Sequence, residues 1–239
     1  LVGSEMCIRD RYNNSLYKSF DEVVNVTECM KKKFDTFKLI SDDKSMFIYN
    51  RFNSVQILQK AKSHDVSYVQ GIMNIITVGR LEKEKGTDQL MNIAKRMYDK
   101  GFEFCWYFVG TGVLDEWCKA FIDANKMNTC VKLLGQKDNP YPYIKNANLF
   151  ISGSLSETFG LSILEALVLE TPSIAYRFDA INEVLDETNG LVVDSFEELE
   201  QAIEKLIKNG LIYEQLRRKA HVLVDYNKQN AEQFRKILK

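Results

Sequence analysis

Two acidic residues flank an apolar run within residues 148–172, and both are candidates for binding hydroxyl groups. Glu157 and Glu165 are eight residues apart, and Phe159 and Gly160 follow shortly after the first of them. The apolar residues around them predict a buried helix whose first turn carries Glu157. A buried helix does not keep carboxylates without a partner or a task. The backbone N–H groups at its start, next to a glycine that admits a ligand, suit a phosphate.

The spacing of the two glutamates matches an elongated ligand. On a helix they would lie about 12 Å apart along the axis, because each residue advances ~1.5 Å. That is about the reach from the sugar to the ribose of a nucleotide-sugar, so one acid can bind sugar hydroxyls and the other ribose hydroxyls. A chain with this many glutamates holds roughly one such pair by chance. The alternative is that both acids simply pair with nearby Arg or Lys side chains.

A second charged segment, residues 78–86, follows the first apolar strand of a regular α/β alternation. Arg80 leaves the carboxyl end of the predicted strand, and Lys85 stands at the start of the next helix. Both cations can converge on a diphosphate there, Arg80 through a bidentate fork and Lys85 as a point charge. The alternative is a solvated loop of mixed charge, since Glu82 and Glu84 alternate with the lysines.

Taken together, the two segments resemble the retaining glycosyltransferases of the GT-B fold, specifically family 4. Residues 156–172, SETFGLSILEALVLETP, are similar to the family's E-x7-E segment, which more often reads EGFG. Thr158 here replaces that glycine. Residues 79–86, GRLEKEKG, are similar to the family's G-R-L-x-x-x-K-G loop. The resemblance covers about residues 15–239.

The resemblance implies a hexosyltransferase that moves a sugar from a nucleotide-sugar donor, UDP-linked rather than GDP-linked, with retention. Glu157 would position the sugar, and Arg80 and Lys85 would offset charge on the departing diphosphate. No enzyme nucleophile is evident, so the acceptor is expected to attack from the front side. Glu165 would hold the ribose. The remaining donor contacts that the resemblance implies are Gly79, Leu134, Gly135, Gln136, Thr158, Phe159, Gly160 and Leu161.

Two weaker segments also resemble the family. Residues 134–143 look like its base-facing loop, and NPYPYIK is similar to members that build bacterial surface polysaccharides. Tyr141 and Tyr143 in that loop are equally well explained by ordinary packing. The segment around Glu183 resembles the family's E-x6-G segment, but residues 178–180 replace its usual glycines, which puts a sugar contact there in doubt.

The alternation of strands and helices predicts an α/β fold with a Rossmann-like, doubly wound parallel sheet, the C-terminal half of a GT-B enzyme. Ligands of such sheets bind outside the carboxyl ends of the strands. Residues 11–66 are interpreted as the end of an N-terminal acceptor domain, because a strand ending in Asn50 resembles the close of that domain. Residues 67–220 would form the donor-binding domain and residues 221–239 a C-terminal helix.

Local patterns add more detailed expectations. Thr27 looks like the N-cap of a helix over residues 28–37. The tail, residues 213–238, is charged and is predicted to be helical. The first ten residues, LVGSEMCIRD, resemble a translated sequencing adapter. We therefore expect residues 1–10 to pack against nothing and the chain to be a fragment of a longer protein, inactive in transfer as it stands.

Composition narrows the range of partners. The net charge is −1 with both signs interspersed, so no basic surface suggests nucleic-acid binding. No run of ~18 apolar residues encodes a membrane span. The five cysteines are far apart and only two histidines occur, which disfavours a metal site and suits reduced thiols in the cytoplasm. The expected partners are a nucleotide-sugar, a glycan or lipid-linked glycan acceptor and an N-terminal domain.

No cofactor or obligatory metal is expected, because no Asp-x-Asp motif occurs. Membrane contact would be at most peripheral, at the inner face. The second hypothesis is a nucleotide-sugar-binding module without catalysis. A third, a dinucleotide oxidoreductase, ranks well behind, because residues 110–112, Gly-Thr-Gly, lack the third glycine of that fingerprint.

Overall fold

The structure is a computed structural model that describes residue 17, residues 19–222 and residues 226–237. The segment that resembles an adapter, residues 1–10, lies outside the described residues. The assignment of residue ranges to separate domains stays a prediction.

Eight strands in this part of the chain form two parallel sheets, one of two strands and one of six. The strands are β1 (Val23–Asn25), β2 (Ser45–Phe47), β3 (Met73–Val78), β4 (Phe104–Val109), β5 (Val131–Gly135), β6 (Leu149–Ser152), β7 (Ser173–Tyr176) and β8 (Leu191–Val193). The large sheet has the order β5-β4-β3-β6-β7-β8, and every neighbouring pair is parallel. The predicted α/β fold with a doubly wound sheet is therefore confirmed.

Helices cover both faces of the large sheet. Among the described residues they are α1 (Glu28–Thr36), α2 (Ser54–Lys60), α3 (Thr87–Asp99), α4 (Asp115–Ala124), α5 (Tyr141–Asn146), α6 (Leu161–Val168), α7 (Phe196–Lys208), α8 (Gly210–Lys219) and α9 (Tyr226–Ile237). Helices α2, α5 and α6 contribute to the apolar core on one face. Helices α3, α4, α7 and α8 contribute to the core on the other. With both faces covered, β4 and β6 are buried along their whole length, which explains their continuous apolar sequences.

The centre of the sheet decides where a ligand can bind. Strands β3 and β6 are parallel neighbours, with Ile75 opposite Leu149 and Ile76 opposite Phe150. The chain builds one half of the sheet outward from β3 and then returns to begin the other half at β6, so the topology switches between these two strands. The loops that leave their carboxyl ends, residues 79–86 and 153–160, consequently lie side by side.

The predicted start of the central helix was wrong. Helix α6 begins at Leu161, and Gly160 is its N-cap with a left-handed backbone, φ 78°. A residue in that conformation cannot continue a right-handed helix, so Glu157 lies in the preceding loop and not in the first helical turn. The estimate of 12 Å along a helix axis therefore does not apply to the two glutamates.

The charged tail is helical as predicted, in two helices, α8 and α9; α8 ends at Lys219, and the backbone of the next residue, Ala220, is extended with ψ 92°. The expectation for the N-terminal segment was confirmed, because Thr27 caps α1 by accepting a hydrogen bond from the Met30 N–H at 3.1 Å.

A close backbone contact joins the two central loops. Gly86, directly after Lys85, has a left-handed conformation with φ 66°. A Cβ built on Gly86 would stand 2.1 Å from the carbonyl oxygen of Gly153. Only glycine lets the β3 loop approach the β6 loop this closely.

We expect Gly86→Ala to lower the free energy of unfolding by about 3 kcal/mol or more, because left-handed strain adds to steric overlap with backbone. Gly101→Ala is the matched control: Gly101 also has positive φ, 76°, but nothing lies within 4 Å of an added Cβ. It should cost only about 1 kcal/mol. Urea titrations of the two variants measure the difference, and equal losses would contradict the close contact.

Candidate functional site

Lys85 and Glu157 form an ion pair between the two central loops. The Lys85 amine contacts the Glu157 Oε1, and the side chains are 22% and 19% exposed. Ser154 donates a hydrogen bond from its hydroxyl to the same carboxylate oxygen at 3.1 Å. The backbone joins the loops as well, since the Leu155 N–H donates to the Glu84 carbonyl at 2.9 Å. The structure thus brings together two residues that the sequence placed 72 positions apart.

Arg80 is not part of this pair. Its guanidinium Nη1 lies 2.7 Å from Glu82 Oε1, and its side chain is 69% exposed. Exposed pairs of this kind contribute about 0–1 kcal/mol. Arg80 nevertheless leaves the carboxyl end of β3, the same edge of the sheet, so an anion bound there can draw it away from Glu82 at little cost.

The start of helix α6 faces the same edge. No described side chain caps its N-terminus. Its first N–H groups therefore lack helical partners and present positive partial charge, which suits an anion. Phe159, one residue before the cap, is 1% exposed and anchors the loop in the core, whereas Leu161 is 41% exposed.

A cavity of about 130 Å³, the Glu157 cavity, opens beside this pair. It is lined by Met30, Leu155, Ser156, Glu157, Thr158, Arg177, Phe178 and Asp179. Met30 comes from α1, so the N-terminal segment closes one side of the cavity. Met30 and Arg177 were not predicted as site residues, and Asp179 was noted only as one of the residues, 178–180, that replace the family's usual glycines.

A second cavity of about 460 Å³, the Glu165 cavity, lies among α2, α5 and α6. It is lined by Arg51, Phe52, Asn53, Gln56, Ile57, Tyr141, Leu161 and Glu165. The two glutamates therefore face different cavities, on either side of the start of α6. Arg51, Asn53 and Gln56 were missed, although the strand ending at Asn50 had indicated a domain boundary close by.

Glu165 and Tyr141 form a buried polar pair in this cavity. The Tyr141 hydroxyl donates to Glu165 Oε1 at 2.9 Å. Burial raises the pKa of the Glu165 carboxyl, and the hydrogen bond from Tyr141 lowers it in part. Burial, together with the neighbouring Glu165 charge, raises the pKa of Tyr141 to about 12. The sequence left the roles of Tyr141 and Tyr143 undecided, and in the structure Tyr141 lines the Glu165 cavity.

Tyr143 has a packing role in the structure. Its carbonyl accepts a hydrogen bond from the Tyr68 hydroxyl at 2.9 Å, and its ring lies edge-on to His64 at 5.6 Å. The Lys137 amine lies 5.7 Å from the centre of the same ring. These contacts tie α5, and through Lys137 the loop before it, to residues 64–68.

The donor contacts expected after β5 lie at the far end of the sheet. Leu134 and Gly135 end β5, the edge strand, and Gln136 is exposed just beyond it. Strand β5 is two positions from β3, or roughly 10 Å. At Gly79 and Gly135 nothing stands within 4 Å of an added Cβ, so the backbone there is open. A ligand bound at the loop after β3 can therefore contact residues 134–136 only if it extends from β3 to β5.

Glu183 binds the N-terminal segment. Its carboxylate accepts hydrogen bonds from the backbone N–H groups of Glu28, at 3.1 Å, and Cys29, at 2.7 Å. An acid at a helix N-terminus is favourable because it meets orphan donors and the positive end of the dipole. The Glu183 carboxylate is thus engaged with the start of α1.

Within the described residues, no cluster of three or more His, Cys, Asp or Glu side chains is arranged to hold a metal ion. No helix in the same ranges combines the length and apolarity needed to cross a bilayer.

We expect Glu165→Gln to raise the free energy of unfolding at pH 7, because the wild-type chain there bears the cost of burying a charge. Because the pKa of Glu165 is raised in the folded state, this cost is lost as the pH falls through that pKa. The difference in the free energy of unfolding between the variant and the wild type should therefore close toward pH 4. Glu116→Gln is the control, at a carboxylate that is 87% exposed. Denaturant titrations across pH measure both, and a gap that widens on acidification would contradict the burial.

Comparison with known proteins identifies the family. A family model described as "Glycosyl transferases group 1" matches residues 73–209. A poly(glycerol-phosphate) alpha-glucosyltransferase of Bacillus subtilis is 28% identical over 230 residues, covering 93% of this chain and 33% of that protein. The capsular polysaccharide biosynthesis glycosyltransferase CapM of Staphylococcus aureus is 26% identical over 207 residues, covering 81% and 54%. The chain thus spans about a third to a half of the length of these curated relatives.

Among solved structures, a variant of S. aureus TarM in complex with Fondaparinux, alpha-GlcNAc-glycerol and UDP aligns with a TM-score of 0.70 at 18% identity. The alignment covers 87% of this chain and 41% of TarM. At this identity the likeness shows the fold, which is that of GT-B glycosyltransferases. Since the family model matches more than half of its residues, the chain belongs to the group 1 glycosyltransferases.

Proposed function

We propose that the chain is the donor-binding part of a retaining, family 4 hexosyltransferase that uses a UDP-sugar in bacterial surface polysaccharide synthesis. The observation that carries this proposal is the Lys85–Glu157 pair at the switch point of the sheet, beside the open start of α6. A cation, a carboxylate and free N–H donors at one point suit a ligand with both phosphate and hydroxyl groups.

The ion pair suggests how the donor is bound. A diphosphate carries more charge than one carboxylate, so Lys85 can exchange Glu157 for it. Glu157 then becomes available to accept hydrogen bonds from the hydroxyls of the transferred sugar. Arg80, held only by an exposed pair with Glu82, can turn to the same diphosphate. In the absence of donor, the charges of the site would thus be satisfied by the Lys85–Glu157 and Arg80–Glu82 pairs, and donor binding would break these pairs.

The nucleoside would lie toward the other cavity. The Glu165 carboxylate would accept hydrogen bonds from ribose hydroxyls, and the base would extend toward residues 134–136 after β5. The similar TarM structure contains UDP, which supports a uridine nucleotide as the first ligand to test. On this reading Arg51 and Gln56 flank the ribose from the N-terminal segment.

Retention is proposed from the family resemblance, and the arrangement around Glu157 suggests a route for it. Glu157, the acid nearest the proposed sugar, already accepts hydrogen bonds from Lys85 and Ser154, which suits binding better than nucleophilic attack. We therefore infer front-side attack by the acceptor, assisted by cations that stabilise the leaving diphosphate. No step in this scheme calls on a metal.

The acceptor is proposed to be a glycan or a lipid-linked glycan, and the enzyme to work in the cytoplasm, with at most peripheral contact at the inner face of a membrane. The relatives' names support a cell-surface polymer. The second candidate is a nucleotide-sugar-binding module that does not transfer. The chain spans 33% of the length of the B. subtilis relative, so binding without transfer is the second candidate for the chain as given.

Calorimetric titration tests donor binding. We expect UDP to bind more tightly than GDP, and NAD to show no binding. Lys85→Ala should weaken UDP binding about tenfold or more, since a charge-assisted contact to phosphate contributes ~1.5–3 kcal/mol. Lys95→Ala, at an i,i+4 pair with Asp99 on α3, is the matched control and should bind like the wild type. Failure of the wild-type chain to bind any nucleoside diphosphate would contradict the proposal.

Turnover separates the enzyme from the binding module. The chain joined to its acceptor half is expected to release UDP from UDP-glucose or UDP-N-acetylglucosamine in the presence of acceptor. The anomeric proton of the product, followed by NMR, should show the configuration of the donor. An inverted product would contradict retention, and donor binding without turnover would favour the module.

The two charged positions should differ kinetically in that enzyme. We expect Arg80→Ala to lower kcat about a hundredfold, or ~3 kcal/mol, because Arg80 meets charge that grows as the sugar bond breaks. Glu165→Ala should instead raise the donor KM with kcat nearly unchanged, because ribose hydroxyls change little during the reaction. Equal losses of kcat, with no change in donor KM, would contradict the ribose assignment.

A further inference from the structure

The loop that begins α6 is supported from outside the large sheet. Phe159 is buried in a cluster of three aromatic rings with Tyr49, which follows β2, and Tyr226, which begins α9. The rings of Tyr49 and Phe159 are stacked, with centroids 5.3 Å apart and planes at 23°. Tyr226 stands edge-on to both, at 5.1 Å from Tyr49 and 5.3 Å from Phe159. Such stacked and edge-on pairs are favourable geometries for aromatic rings.

The backbone N–H and carbonyl of Tyr49 both form hydrogen bonds with one side chain. The Asn230 side chain accepts a hydrogen bond from the Tyr49 N–H at 2.8 Å and donates one to the Tyr49 carbonyl at 2.9 Å. The Tyr49 N–H and carbonyl are buried, so these two bonds satisfy backbone groups that would otherwise lack a hydrogen-bond partner. An amide can do both at once, because its oxygen accepts and its nitrogen donates.

The same cluster reaches the segment around Glu183. The Tyr226 hydroxyl donates to the Glu183 carbonyl. Burial and the Glu183 carboxylate raise the pKa of the Tyr49 hydroxyl, which stays protonated. The Glu183 carboxylate binds the start of α1, as described above. Tyr49, Glu183 and Tyr226, which are distant in sequence, are therefore held together around Phe159.

We propose that Tyr49, fixed by Asn230, is a positioning residue for donor binding: it sets the place of Phe159 and hence of the N–H groups at the start of α6. Gly160, the next residue, has a left-handed backbone and no capping side chain, so the first N–H groups of α6 depend on packing around Phe159 for their position. A ring stacked on Phe159 supplies that packing. This inference rests on the proposed function of the loop as a diphosphate site.

The test is a double-mutant cycle read by UDP titration. Tyr49→Leu should weaken UDP binding about five- to tenfold, the size of effect that loss of one aromatic pair produces. Tyr49→Phe keeps the stacked ring and should restore most of the affinity. In a Phe159→Leu background, Tyr49→Leu should change the affinity less than twofold, because the contact through which it acts is already gone.

Tyr17→Leu is the matched control for lost stability. Tyr17 is also a buried ring packed on a phenylalanine, Phe34, at 5.2 Å, but it lies in a separate cluster of the N-terminal segment. It should lower the melting temperature and leave UDP affinity unchanged. Asn230→Ala should weaken UDP binding as Tyr49→Leu does. Tyr49→Leu binding UDP like the wild type, or adding its full effect to that of Phe159→Leu, would overturn the inference.

Amide hydrogen exchange provides a readout that does not need UDP. Exchange at residues 157–162 should be faster in Tyr49→Leu than in the wild type and unchanged in Tyr17→Leu. Wild-type chain that does not bind UDP would contradict the proposed function, whereas the exchange result decides the positioning of the loop by itself. Unaltered exchange at residues 157–162 in Tyr49→Leu would overturn the inference.

Discussion

The close approach of two loops at the centre of the large sheet is the constraint on which the candidate site depends. Strands β3 and β6 pair in parallel, and their following loops meet where Gly86 passes the Gly153 carbonyl. This contact leaves no room for a side chain, and it places Lys85 against Glu157. A half-buried cation and carboxylate satisfy each other in the absence of ligand, which lowers the cost of keeping both charges out of water.

The two cavities follow from what packs around those loops. Helix α1 closes the Glu157 cavity, and α2 closes the Glu165 cavity. Loops and helices that follow strands of the large sheet therefore line one side of each cavity, and the N-terminal segment lines the other. In helix α9, Asn230 hydrogen-bonds to the backbone of Tyr49. A site assembled in this way depends on contacts between segments far apart in sequence.

Much of this arrangement could be predicted from the sequence, and the failures have physical causes. The alternation of apolar strands and amphipathic helices was sufficient for the sheet, because parallel strands covered on both faces leave a clear pattern. Lys85 and Glu157 were both expected near the carboxyl ends of the strands, but their ion pair had been expected only under the alternative, in which the acids pair with nearby Arg or Lys side chains. The start of α6 was misplaced because a left-handed Gly160 cannot be distinguished from a helical glycine by type alone. Tyr49, Arg51 and Asn230 were missed because their roles arise only from tertiary contacts.

The most direct test of the central claim is a crystal structure of the chain with UDP. The account predicts that the diphosphate lies at the carboxyl ends of β3 and β6, within hydrogen-bond distance of Lys85 and of the first N–H groups of α6. The Lys85–Glu157 contact should be broken in that complex, and the ribose should lie against Glu165. UDP bound elsewhere, or bound there with the Lys85–Glu157 pair intact, would contradict the account.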